Sequence, residues 1–311
     1  MSNVRAQQML PPFPAPVISY VRSIFAGANR RVSDKIARVP NCSEPSLDLT
    51  LIEHLTRYTS PRVVAPGWTV KLDVHFLGGL RHFHRWEVAD IGILVFAKQG
   101  AHIVGKKVAL LQSKRLYPKS HSVLEEEKVD YQIGFANLLP GDSVASSIAI
   151  PHKFEFTDSS LYKALKSEDE QFKAIREFER HKHIPVHYLF YNPWAVPTTY
   201  TVPTPSKVSL GPRANGGCRI IRSQDLRAAM SSKPGGKSPT FSEVSDLCGH
   251  AAAHLSGWRL EYFVADLLMR CKEGQVFEDL SEGIESLFYR RSGPIAAAMS
   301  ITIEGPESQR G

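Results

Sequence analysis

Residues 68–76, WTVKLDVHF, alternate apolar and polar side chains with the period of a half-buried strand. Gly78-Gly79 marks a turn, and Arg85–Phe96 (RWEVADIGILVF) predicts a second strand that ends in an almost continuous apolar run. A turn over Lys98–Gly105 leads into Lys107–Lys114 (KVALLQSK), a third strand that is apolar until Gln112. Upstream, Ile18, Val21, Ile24 and Phe25 are spaced for one face of a helix over Val17–Val39. A shorter helix follows, with Ser46 as N-cap, Leu49, Ile52, Leu55 and Thr56 on one face, and Glu53 within it.

Downstream of Lys114 the period becomes helical. Helices are predicted over Val123–Leu139, whose acidic first turn suits the helix dipole, and over Ser160–Arg180. The run Ile184–Tyr191 (IPVHYLFY) predicts a strand, Pro193–Gly217 with its five prolines and three glycines a long loop, and Cys218–Arg222 a last short strand. A linker over Ser231–Thr240 precedes helical patterns at Phe241–Ser256, Trp258–Cys271 and Leu280–Arg290. This order implies an α/β fold: a mixed central sheet flanked by helices, with extra N- and C-terminal helices. It divides the chain into a basic N-terminal extension (1–40), a core (41–230) and a C-terminal helical segment (241–311).

Charge adds one element to this picture. The chain has 38 Lys and Arg against 31 Asp and Glu, a net +7, which favours polyanion partners through attraction and counterion release. Arg22, Arg30, Arg31, Lys35 and Arg38 make the first helix basic, so it is either a solvated helix packed on the domain or an arm that contacts phosphates. Other signals exclude more than they propose. Cys42, Cys218, Cys248 and Cys271 form no CxxC pair, which points to free thiols in a reducing cytoplasm. There is no uninterrupted apolar leader at the start and no apolar run of about 18 residues, so a membrane partner is not expected. His250 and His254 lack the intervening Glu of a zinc-peptidase helix, Gly141-Asp142-Ser143 lacks a placed histidine, and no GxxxxGK[ST] loop is present.

The candidate chemistry lies where polar residues interrupt apolar strands. Asp90 breaks the second strand, and Gln112 and Lys114 close the third. Residues two apart in a strand share a face, so Gln112 and Lys114 point the same way, and Asp90 joins them if the two strands pair. A carboxylate, an amide oxygen and an ammonium converging near the centre of a sheet are costly unless they are paired or bind a metal. Their natural use is to hold a hard divalent cation beside a phosphate.

Asp90 followed by Gln112-Ser113-Lys114 resembles the signature of the PD-(D/E)xK nuclease superfamily, with glutamine at the acidic position as in its QxK variants. The resemblance covers residues 45–225 and implies a restriction-endonuclease-like core. By that resemblance Asp90 is the principal metal ligand, Gln112 lends its side-chain carbonyl, and the Ser113 backbone carbonyl is a further ligand. Lys114 positions the attacking water and stabilises charge on the phosphate, and Glu53 is the extra acid that the family often places on the preceding helix. The implied cofactor is Mg²⁺ or Mn²⁺ and the implied activity is hydrolysis of DNA, with RNA left open, in bacterial or phage defence. Arg30, Arg31, Lys35, Arg115 and Gln132 are the expected nucleic-acid contacts. A separate ATPase or regulatory subunit and a homo-oligomer are compatible with the resemblance. The competing reading is the same fold without catalysis, serving as a nucleic-acid-binding or scaffolding module.

Overall fold

The computed structural model of the protein describes residues 10–76, 88–119, 152–167, 169–202, 215–231, 236–247, 258–276 and 295–307. The predicted helices over Val123–Leu139 and Leu280–Arg290, together with Gln132, His250 and His254, lie outside them. Helix α1 spans Ala15–Arg38 and α2 spans Glu44–Leu55. The strands β1 (Arg62–Ala65), β2 (Trp68–Phe76), β3 (Ala89–Gln99) and β4 (His102–Arg115) follow. After β5 (His152–Phe156) come α3 (Glu170–Lys182), β6 (Val186–Tyr191), β7 (Thr198–Val202), β8 (Arg219–Arg222) and α4 (Ser223–Met230). Then come a short helix α5 (Phe241–Leu247), β9 (Trp258–Arg259), β10 (Gln275–Val276) and β11 (Ile295–Gly305).

The main sheet runs β1-β2-β11-β3-β4-β6-β8-β9, with β10 also paired to β4. Two pairs, β11 with β3 and β4 with β6, are parallel and the others antiparallel, so the sheet is mixed. The fold is thus α/β, a large mixed central sheet flanked by helices, as expected from the order of elements. A second, two-stranded sheet pairs β5 with β7. Among the described residues no helix is long and apolar enough to cross a membrane, and Cys42, Cys218 and Cys271 are free thiols.

Two expectations change. The region expected to be a C-terminal helical segment supplies β11, which enters the sheet between β2 and β3 and keeps them from being neighbours. Its Ala297, Ala298, Met299, Ile301 and Ile303 are buried, as a strand covered on both faces requires. The run Trp258–Cys271 is not one helix either, since β9 leads into a helical turn at Leu260–Tyr262 and a π-helical one at Phe263–Leu268. The described residues before 40 pack into the same interior. One face of α1, from Val17 to Ala37, is buried in the same hydrophobic cluster as β4, the 260–268 turns and β11. Arg22 grips Asp266 at 2.6 and 3.0 Å, and Asn29 joins Glu261 to the Cys218 backbone N–H.

Smaller departures have local causes. Ser160–Arg180 starts its helix only at Glu170, because the Asp169 carboxylate caps the Phe172 N–H at 2.7 Å. The Pro/Gly-rich 193–217 segment contains β7, whose residues TTYTV are themselves strand formers.

A buried polar cluster ties β10 and the turn before it to the sheet. Glu273 accepts from His187 Nε2 at 3.2 Å and forms a two-pronged pair with Arg222. Burial pushes the Glu273 carboxyl up, but these bonds more than offset it and hold it below the usual carboxylate range. A depressed carboxyl pKa stabilises the folded state above the unfolded value, and that gain is lost as pH falls through the folded value. Glu273→Gln should therefore cost about 1–3 kcal/mol near neutral pH. Urea titrations of both proteins should show the difference narrowing as the pH drops below the ordinary carboxyl range.

Candidate active site

The interior of β4, Val108–Leu111, is fully apolar and sits between β3 and β6. The β3 register ends with Ile91 opposite Leu111, which brings Asp90 beside Gln112. Asp90 Oδ2 accepts from Gln112 Nε2 at 2.5 Å, from the Ser113 N–H at 2.7 Å and from Ser113 Oγ at 2.8 Å. Gln112 and Lys114 lie opposite Tyr188 and Phe190 of β6, on one face of the strand, as their spacing requires. Asp90, Gln112, Ser113 and Lys114 are therefore brought together.

Helix α2 completes the network with residues other than the one expected. Glu53 is exposed on its outer side. The acids that reach the strand ends are Glu44 and Asp48, one turn apart. Glu44 Oε1 accepts from Lys114 Nζ at 3.2 Å and Oε2 from the Arg115 N–H at 2.9 Å. Asp48 Oδ2 lies 2.9 Å from Ser113 Oγ, and its Oδ1 accepts from the Tyr191 hydroxyl at 2.6 Å. The reason is helical phase. The buried face is Leu47, Thr50, Leu51, Ile52 and Leu55, with Leu49 exposed. At about 100° per residue Glu53 is turned roughly 140° from Asp48 around the helix.

The expected nucleic-acid contacts separate in the same way. Arg115 is buried, donates to the Pro40 carbonyl at 2.7 Å and stacks over Tyr117, so its side chain is packed in the interior. Arg30 and Arg31 are exposed and Lys35 half-buried on α1, and none of the bonds around Asp90 involves them. Glu44, Asp48 and Tyr191 escaped notice in the sequence, although two acids at i and i+4 flanking Leu47 were a readable signal.

The electrostatics of the cluster are unbalanced. Three carboxylates, Glu44, Asp48 and Asp90, share one network with a single ammonium, that of Lys114. Ser113 Oγ carries a single proton, so at any moment it donates to Asp48 or to Asp90 but not both. Burial, then the neighbouring Asp90, pushes the Asp48 carboxyl well above its ordinary value. Burial also raises Glu44, although Lys114 opposes it. Burial by itself would lower the Lys114 ammonium, but Glu44 and Asp90 outweigh it and hold the pKa above the usual lysine value. Lys114 is thus a fixed positive charge at neutral pH and not a proton acceptor.

One atom of the cluster is left over: Gln112 Oε1 is buried and has no hydrogen-bond partner among the described residues. A buried lone pair without a donor costs free energy, and beside excess carboxylate charge it is suited to a hard cation. The described residues hold no group of three or more His, Cys, Asp or Glu side chains that would bind a metal by themselves. The donor set that does fit is mixed, with the Asp90 carboxylate, the Gln112 amide oxygen and oxygens from water or substrate. Comparison with known protein families, with curated proteins and with solved structures found no match.

Proposed function

We propose that the chain is a Mg²⁺- or Mn²⁺-dependent nuclease acting on DNA, of PD-(D/E)xK type with Gln112 at the acidic position. The observation that carries this reading is the unpartnered Gln112 Oε1 next to the Asp90 carboxylate, on the strand that presents Lys114. Asp90 and Gln112 would hold the cation, which supplies Lewis-acid polarisation of the phosphate and a lowered pKa for a bound water. Lys114, kept protonated by Glu44 and Asp90, donates to phosphate oxygen as negative charge builds there. Glu44 and Asp48, both raised in pKa, are better proton acceptors than exposed carboxylates and can take the proton from the attacking water. Tyr191 holds Asp48 in place through its hydroxyl.

A second reading has its own support. Gln112 Nε2 already satisfies Asp90 and Glu44 already neutralises Lys114, so the network can close as a structural unit in a module that only binds nucleic acid. Incubating supercoiled, linear and single-stranded DNA with Mg²⁺ or Mn²⁺ separates the two. The nuclease should cut only with metal, and Lys114→Ala should slow cutting by about 10²–10³-fold, the usual effect of losing one charge-stabilising donor. A wild-type protein that is inert, binds no Mn²⁺ and holds DNA as well as the variant does would sink the nuclease and favour the binding module.

A further inference from the structure

A cavity of about 580 Å³ opens at the opposite end of β6 from Lys114's partner Phe190, between α3, the start of β6 and the start of α4. Val186 lines it, and four residues of strand separate Val186 from Phe190 by about 13 Å. None of Asp90, Gln112 or Lys114 contributes to it. Four arginines do: Arg176, Arg180, Arg222 and Arg227, against two carboxylates, Glu179 and Glu273.

Both carboxylates are already committed. Glu179 accepts from the Val186 N–H at 2.8 Å, from Ser223 Oγ at 2.5 Å and from Arg227 Nη1 at 2.6 Å. Glu273 is held by His187 and Arg222. They fix two guanidinium groups in place but leave the cavity with an excess of two positive charges. Arg176 is exposed and has no ion-pair partner among the described residues, and the exposed Arg180 reaches only the half-buried Glu177, at 3.6 Å, and the His181 ring nitrogen, at 3.4 Å. Every bond of Arg227 leaves from Nη1, so its Nε and Nη2 donors are uncommitted among the described residues. A guanidinium fork with free donors matches phosphate oxygens. Ser223 and Gln224, in the first turn of α4, also line the cavity, where helix N–H groups have no acceptor of their own. The volume falls within the roughly 300–1,000 Å³ of small-molecule sites.

We propose that this cavity binds a small phosphorylated ligand carrying at least two negative charges, at a site separate from the Asp90 network. Four guanidinium groups against two lining carboxylates are costly to hold together in a concave site, and a doubly charged phosphate relieves that repulsion.

Inorganic pyrophosphate is the probe, titrated calorimetrically into the full chain without divalent metal so that the Asp90 network takes no part. One pyrophosphate per chain is expected. Arg176→Ala and Arg180→Ala, both exposed substitutions that should leave the fold intact, should each weaken binding by roughly tenfold or more, with the affinity of a short DNA duplex unchanged. Absence of saturation into the millimolar range would overturn the proposal, as would equal binding by wild type and both variants. A parallel loss of duplex affinity in the variants would overturn it too, by making the arginines backbone contacts for nucleic acid.

Discussion

Asp90→Asn should abolish metal-dependent DNA cleavage while leaving the protein folded. The substitution keeps the shape of the side chain and one acceptor oxygen, but it removes the charge on which the proposed cation depends. It also places an amide where Oδ2 now accepts from Gln112 Nε2, the Ser113 N–H and Ser113 Oγ. At least one of those donors loses its acceptor, so the Gln112 amide that presents Oε1 is no longer held in place. A loss of about 3–4 kcal/mol in transition-state stabilisation corresponds to a roughly 10²–10³-fold fall in rate, and failure to bind the metal at all would take activity below detection. The variant should not be unstable in proportion. Asp90 pushes up both Asp48 and Glu44, so its neutralisation relieves repulsion within the cluster. Cleavage rates and thermal melts measured on the same preparations check both halves. A variant that still cuts at the wild-type rate would remove Asp90 from the chemistry.

The largest structural effect is expected from a stop before Ile295. Strand β11 pairs antiparallel with β2 from Ala297 to Glu304 and parallel with β3 from Ile295 to Gly305. Without it two strands lose a partner at once and their N–H and C=O groups face each other across a gap. The buried side chains of Met299, Ile301 and Ile303 go with it. Truncating a buried Met or Ile to Ala costs about 2–5 kcal/mol, so three such losses reach the whole stability of a typical domain, about 5–15 kcal/mol. The truncated chain should show no cooperative unfolding transition and should expose hydrophobic surface. Ile301→Ala is the graded version, expected to lower stability by about 2–5 kcal/mol and retain the fold. A truncated protein that melts like the full one would mean that β2 and β3 close the gap by pairing directly.

The polar residues that meet on β3 and β4 were easier to read in the sequence than the residues around them. Asp90, Gln112 and Lys114 were legible because each breaks an apolar run, and a period of two fixes which side chains share a face. The helix acids were not. In a twelve-residue helix carrying Leu47, Leu49, Leu51, Ile52 and Leu55, several apolar stripes are open: one through Leu49 leaves Glu53 and Glu44 equally at its margins, whereas the observed face around Leu51 takes in Glu44 and Asp48 and leaves Glu53 on the far side. Only packing against α1 and the strands decides among them. Strand β11 was illegible for a different reason. Its IAAAMSITIEG sequence is rich in alanine, which favours helix, and its strand state is imposed by slots that β2 and β3 leave open from far along the chain. Arg115, a basic residue next to Lys114, reads in the sequence as a surface side chain, whereas the Pro40 carbonyl and the Tyr117 ring hold it inside.

The position of β11 also bears on how the chain is made. Ile303 pairs with Val70, and Ala297 with Ile91, so the middle of the sheet waits for residues synthesised long after its flanks. Between Gln99 and Ile295 a ribosome adding roughly 5–20 residues per second spends on the order of 10–40 s. Through that interval β2 and β3 have unfilled hydrogen-bonding edges, open to misregistered pairing or to a chaperone. Asp90, at the start of β3, lacks the neighbour that seats its strand. An interrupted translation product would therefore carry every residue of the proposed metal site and yet be unable to assemble it, which confines any cutting activity to chains that have been finished.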